Sequence, residues 1–283
     1  MKKFLLFIFL SSLLFAKINI ITHQKFAVNG QAFYIKVVDE DNQSFKTLKV
    51  KFNNRTYKSL QNSSQIVLPI SYYTKKGRYL LSIYGSYMDG KKFKKKFYLK
   101  VKYGNYKKEI LRVSKKKTSF GSKSLKRIRK ESKEAKKIYA KFSSKKYNKK
   151  FIYPLNSKIT SQYGNRRLFN GKLKSYHSGT DFRAKVGTPI KASNDGVIKI
   201  AKHRFFAGGS VVIDHGEGIF TVYYHLSGIK VKVGQAVKRG KIVGISGKSG
   251  RVTGPHLHFG VVLQTSSIEA LEFIKLMNDF VIK

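Results

Sequence analysis

Phe93, Phe97, Leu99 and Val101 alternate with lysines at 94, 96, 100 and 102, giving one apolar face and one charged face. Only an extended strand holds such residues apart, because a helix would carry the lysines through the apolar stripe. The pattern commits this part of the chain to a sheet buried on one side. Asn29-Gly30 and Asp89-Gly90 fall between apolar runs, where such pairs close tight hairpins. With Phe33 to Val38, Ile66 to Ile70 and Tyr79 to Tyr84, they predict about seven short strands and a small β-sandwich over residues 17–103.

Composition sets the outer limits. The chain has 283 residues, 41% of them hydrophobic and 13% aromatic, which excludes a wholly disordered polycation despite a net charge of +45. It has no cysteine, so disulfide scaffolds, thiolate metal sites and cysteine nucleophiles are excluded together. Any metal must be held by His and carboxylate. Met1-Lys2-Lys3, an apolar run from Phe4 to Phe15 and the small Ala16 have the layout of a secretory signal peptide. As a helix the run would cover ~18 Å, short of a ~30 Å hydrocarbon core. Residues 1–16 are therefore expected to be cut near Ala16 and the chain exported to the periplasm. No later stretch is long enough to span a membrane, and export removes nucleic acid from the expected partners. A monomer is expected.

Residues 91–150 carry 26 Lys or Arg against three acids, Glu109, Glu131 and Glu134. Within them Leu125, Ile128, Ala135, Ile138, Tyr139 and Phe142 recur at helical spacing and predict an amphipathic helix from Ser124 to Phe142. Residues 104–150 thus read as a basic helical linker. Its helix either connects domains with one stripe packed down or helps to hold an anionic polymer. From Phe151 the texture changes to Gly turns, prolines at 154, 189 and 255, and short β-branched runs. This predicts an antiparallel β domain over residues 151–266 and a C-terminal helix over 267–283. The fold class is mainly β.

The chemistry-bearing residues lie in that last domain. His177-Ser178-Gly179-Thr180-Asp181 sets a His four residues before an Asp, with Gly179 against a helix. In Gly254-Pro255-His256-Leu257-His258-Phe259-Gly260, a strand would point both histidines to one face and Leu257 and Phe259 into a core. His225 ends the apolar run Thr221-Val222-Tyr223-Tyr224. Two His nitrogens and one carboxylate oxygen suit Zn²⁺ with a fourth position left for water, whose pKa falls toward ~7 there. Two further His could move protons and stabilise charge on a carbonyl oxygen.

Residues 154–265 resemble the catalytic domain of the lysostaphin/LytM-type zinc metallopeptidases, which cut peptide cross-bridges in bacterial walls. The matching segments run in family order: Ile159 to Arg166, His177 to Asp181, Gly187 to Ile190, Asn194 to Gly196, Gly209 to Gly216, Tyr223 to Leu226, and Gly254 to Gly260. The resemblance implies a curved antiparallel sheet with a groove, and one Zn²⁺ per chain held by His177, Asp181 and His258. It makes His225 and His256 the catalytic pair, with His256 as base and His225 stabilising the oxyanion, or the two exchanged. Arg166 matches a basic position near the groove and holds a substrate carboxylate or forms a structural ion pair. His215 matches a turn position and reads as structural, and His23 and His203 read as surface residues. A looser similarity to the periplasmic cell-shape endopeptidases of helical Gram-negative bacteria implies stem peptides of peptidoglycan as partner and a DD-endopeptidase, with DD-carboxypeptidase as a second activity. Because an uncontrolled wall-cutting enzyme is dangerous and related enzymes can carry plugging segments, the accessory half is also expected to cover the groove. The reading from another class is an inactive LytM-type activator of a wall amidase. Such degenerate domains lose ligands, whereas this chain keeps all three.

Overall fold

The computed structural model describes residues 18–61, 63–111, 121–169 and 172–282. The expected export segment and residues 112–120 of the expected linker lie outside these. The amino-terminal part holds eight strands: β1 (Ile18–Thr22), β2 (Ala27–Val28), β3 (Ala32–Asp39), β4 (Phe45–Phe52), β5 (Arg55–Lys58), β6 (Gln65–Pro69), β7 (Gly77–Tyr87) and β8 (Lys92–Lys102). They form a three-stranded sheet, β1-β3-β6, and a five-stranded sheet, β2-β8-β7-β4-β5. One core lies between them, built from Phe33, Ile35, Ile66 and Leu68 on one side and Val50, Leu81, Ile83 and Leu99 on the other. In β8, Phe93, Leu99 and Val101 are buried while the lysines stay exposed, as the alternation requires. Gly90, at φ +88, closes the β7–β8 hairpin in a conformation that a Cβ would strain.

The expected linker does not stand apart. Its first residues form β9 (Lys108–Leu111), which pairs in parallel with β11 (Arg166–Phe169), itself paired with β12 (Lys172–Tyr176). Helix α1 spans Ser122–Tyr139, three residues short of the expected end at Phe142. Ile138 and Tyr139 pack against Val212, Phe220 and Val222 on the outer face of the carboxy-terminal sheet. Glu131 accepts from the Phe205 amide (2.9 Å) and Glu134 pairs with Lys202 (2.7 Å), so both helix acids tie it to that sheet. The segment after α1 is equally committed: Tyr147 and Phe151 are buried in the carboxy-terminal core.

That part is built on one antiparallel sheet, β10 (Ile159–Ser161), β13 (Thr180–Arg183), β20 (His256–Leu263), β17 (Ile219–Ile229), β16 (Gly208–Gly216), β15 (Gly196–Arg204) and β18 (Ala236–Val237), in that spatial order. The pair β14 (Pro189–Lys191) and β19 (Ile242–Ser246) joins it through β17. The tail departs from expectation. Residues Ser266–Ile268 form an edge strand, β21, on β20, and helix α2 begins only at Ala270 and runs to Leu276. The Glu269 carboxylate caps α2 by accepting from the Leu271 and Glu272 amides. Met277–Val281 continues it as a wider, π-type turn.

The two parts meet across apolar surface rather than a hinge. Ala32, Tyr34, Leu60 and Val67 join Phe273, Ile274 and Met277 in a single cluster. His23, expected at the surface, is instead half-buried between Phe33 and Phe280, with ring centroids 5.2 and 5.6 Å away. Burial lowers its pKa. Among the described residues no helix is long and apolar enough to cross a membrane.

Glu217 sits at this junction, 1% exposed, and accepts from the Gln61 amide (2.6 Å) and the Tyr147 hydroxyl (2.5 Å). A buried carboxylate deprived of a donor has no water to replace it. Tyr147→Phe should therefore cost about 1.5–3 kcal/mol of unfolding free energy in urea, with unchanged far-ultraviolet circular dichroism. A variant of unaltered stability would show that this hydrogen bond contributes nothing.

Candidate metal centre and cleft

Strand register places the first two candidates. Asp181 on β13 lies directly opposite His258 on β20, so their side chains leave the sheet on one face. His256 shares that face two residues earlier, while Leu257 and Phe259 are fully buried on the other. His177 precedes β13 and turns in beside them. Gly179 permits this approach: a Cβ there would come within 2.6 Å of His258 Nε2. The result is a triangle of three donor atoms. His177 Nε2 lies 2.9 Å from Asp181 Oδ1 and 3.0 Å from His258 Nδ1, and the last two are 2.9 Å apart.

Hydrogen bonds behind the triangle fix what it can hold. The Gln162 carbonyl lies 2.9 Å from His177 Nδ1 and only accepts, so in the neutral ring that nitrogen carries the proton. Nε2 then turns a lone pair toward a carboxylate oxygen. Two acceptors at 2.9 Å repel unless a cation lies between them. Burial works against ionising Asp181, but an N–H or positive charge on the neighbouring His177 and His258 prevails and holds its carboxyl well below the usual range, so the carboxylate is ready to face a cation. His258 is pushed down to about 4, chiefly by burial, so it offers a lone pair near neutral pH. A buried N₂O set of this kind fits a divalent metal that accepts imidazole and carboxylate, with room for further ligands from the cleft.

His225 reaches the same space by a backbone irregularity. Strict alternation along β17 would turn it inward with the fully buried Tyr223. Its φ of +66 breaks the alternation, so Tyr224 and His225 both face the cleft before Leu226 returns to the core. A non-glycine residue in this region is uncommon and is held here by its surroundings. His225 Nδ1 donates to the Ser249 carbonyl and His256 Nδ1 to that of Gly254, both at 2.9 Å. Each ring is left with Nε2 as an acceptor. The rings stand 4.8 Å apart, and burial together with His258 and His256 pushes His225 down to about 3. The Tyr224 ring stacks on His258 at 5.4 Å.

These residues line a cleft of about 510 Å³ whose rim carries Arg167, Arg251 and the turn from Val252 to Pro255. Arg167, not Arg166, is the β11 arginine that faces it, with Nη2 3.2 Å from Asp181 Oδ2. Arg166 is exposed on the opposite face of the strand, opposite Tyr176 and Lys108 in register. Glu109 also lines the cleft, a contribution from outside the expected domain.

Residues 175–270 match the sequence profile described as Peptidase family M23. They form an M23 peptidase domain. Peptidoglycan DD-endopeptidase ShyA of Vibrio cholerae is 45% identical over 123 residues, 42% of this chain and 29% of that protein. The DD-carboxypeptidase/endopeptidase Mpg of Neisseria meningitidis is 40% identical over 106 residues, 36% of this chain and 24% of that protein. This chain thus spans less than a third of the length of either relative. A solved structure described as a candidate M23 peptidase from Pseudomonas aeruginosa superposes with a TM-score of 0.66 at 28% identity, covering 87% of this chain and 94% of that one. The likeness therefore extends beyond the M23 domain into the amino-terminal sheets.

The two remaining M23-domain histidines stand away from the cleft. His203 is exposed on β15. His215 is fully buried, with Nδ1 donating to the Asp195 carbonyl (2.6 Å) and Nε2 2.8 Å from Thr221 Oγ1. Burial lowers it from 6.5 to about 4. Between these values the unfolded chain binds a proton that the folded chain refuses. Its contribution to stability is full above pH 6.5 and falls as the pH drops toward 4. His225 and His258 act in the same direction. The urea midpoint of chelator-treated protein should fall between about pH 7 and about pH 5, and His215→Gln should flatten the fall. A midpoint independent of pH over that range would contradict the assignment.

Proposed function

We propose that this protein is a zinc-dependent peptidoglycan hydrolase, exported to the periplasm and acting as a monomer. It cleaves the D-alanyl–diaminopimelate cross-link between stem peptides, with trimming of a terminal D-alanine as a second activity. The observation that carries this reading is the convergence of His177 Nε2, Asp181 Oδ1 and His258 Nδ1 to within 3.0 Å on the floor of a cleft that two acceptor histidines also face. The activities for which the two relatives are named support the choice of bond.

Zinc bound by these three residues would supply a Lewis acid that polarises a carbonyl and acidifies a water. The protein's own groups do the rest. His256 Nε2 lies 3.7 Å from Asp181 Oδ1, so an imidazolium formed there is stabilised by the carboxylate, which suits His256 to take up the proton. The rings of His225 and His256 stand 4.8 Å apart, so a proton released at the reacting centre can be taken by either; on His225 Nε2 it would make that nitrogen a donor toward developing oxyanion charge. Arg167 and Arg251 give the rim a positive potential toward the carboxylates of D-glutamate, diaminopimelate and D-alanine.

Mass analysis of muropeptides from digested sacculi tests the bond. Cross-linked dimers should convert to monomers, whereas intact dimers with glycan released from peptide would indicate an amidase. Asp181→Ala should lose both zinc and activity. His225→Ala and His256→Ala should keep zinc while turnover falls ~10²–10⁴-fold. Full zinc content in Asp181→Ala would overturn the ligand assignment.

A further inference from the structure

Glu109 is one of only three acids among residues 91–150, and its carboxylate sits against the M23 site. Oε1 accepts from Ser161 Oγ (2.6 Å) and Asn165 Nδ2 (2.7 Å), and Oε2 lies 3.4 Å from Arg167 Nε. Since the Ser161 hydroxyl donates to Glu109, it accepts from His177 Nδ1 at 2.9 Å. Arg167 in turn places Nη2 3.2 Å from Asp181 Oδ2. One carboxylate thus reaches two of the three donor residues, each through a single intermediary.

The segment that delivers Glu109 is locked in place. The Tyr106 hydroxyl donates to the Asn29 carbonyl, and its ring fills a slot where a Cβ on Gly164, at φ +82, would overlap it. The Arg166 amide then donates to the Lys107 carbonyl (2.8 Å), and β9 continues alongside β11. Burial opposes the charge on Glu109, but Ser161, Asn165 and Arg167 outweigh it and keep its pKa low. Glu109 reaches these supporting residues rather than the donor triangle, so this strand forms a wall of the cleft.

We infer that Glu109 is a positioning residue for the metal centre, supplied by β9 from outside the segment that matches the M23 profile; the inference rests on the zinc reading proposed for this site. Its effect has two routes. Through Ser161 it supplies a second acceptor, beside the Gln162 carbonyl, for the His177 Nδ1 proton and makes Nε2 a better donor, as a carboxylate behind a metal-binding imidazole does. Beside Arg167 it balances a guanidinium that otherwise draws electron density from Asp181 and repels a divalent cation.

Competition with a chromophoric chelator measures the zinc affinity of the full chain and its variants. Glu109→Ala should bind zinc ~10–100-fold more weakly, the range found for partners behind metal ligands. Glu109→Gln, which keeps an acceptor for Ser161 but not the charge, should recover part of the loss. In a Ser161→Ala/Arg167→Ala background the same Glu109→Ala change should cost less than ~3-fold, because both routes are already cut. The thermal midpoint of the metal-free protein should be shared by wild type and Glu109→Gln. Wild-type affinity in Glu109→Ala, or an equal cost in both backgrounds, would overturn the inference. Absence of zinc binding by the wild type would instead overturn the proposed function.

Discussion

The pairing of Asp181 with His258 across β13 and β20 is the contact on which the site depends. A slip of one residue in that register would turn His258 into the core and Leu257 and Phe259 into the cleft, since side chains alternate strictly along a strand. The register is protected because Leu257 and Phe259 are fully buried, and each such side chain contributes about 1.5–3 kcal/mol. The core thus enforces the geometry of the donor triangle before any metal is present. His177 completes the triangle only because Gly179 lets the His258 ring approach the backbone.

Features that follow from local periodicity were legible in the sequence. The lysine alternation of β8 and the shared face of His256 and His258 both rest on spacing of two, and Gly179 argues against a helix between His177 and Asp181; the close approach that Gly179 allows is visible only in the structure. Features set by tertiary context were not. Alternation alone would bury His225, and only its left-handed backbone brings it to the cleft. Nothing local separates Arg166 from Arg167, because the facing residue is decided by how β11 lies on β9 and β12. His23 is covered by Phe280, from the opposite end of the chain and invisible to any local window.

The boundary drawn at residue 151 shows the same limit. Composition changes there, yet Glu109 and Tyr147 are structurally part of the carboxy-terminal domain. Residues 104–150 read as a connector whose helix packs one stripe down, and Ile138 and Tyr139 do pack on the sheet; the contacts made by its three acids are not legible in the sequence. Glu131 and Glu134 fasten α1 to β15 and the turn after it, and Glu109 fastens β9 to the cleft. In a chain of net charge +45 acids are scarce, and each of these three marks a contact.

Around the cleft this scarcity has an electrostatic consequence. Asp181 and Glu109 are the carboxylates lining it among the described residues, set against Arg167 and Arg251. A cation bound there would have one ligating carboxylate and two imidazoles within a positive rim, so the arrangement of donors would have to do what net charge does not. X-ray absorption at the zinc edge of the purified protein tests that convergence most directly. The account predicts one zinc per chain with two imidazole nitrogens at ~2.0–2.1 Å and a carboxylate oxygen at ~2.0–2.2 Å. A first shell with one imidazole, or with three, would contradict it.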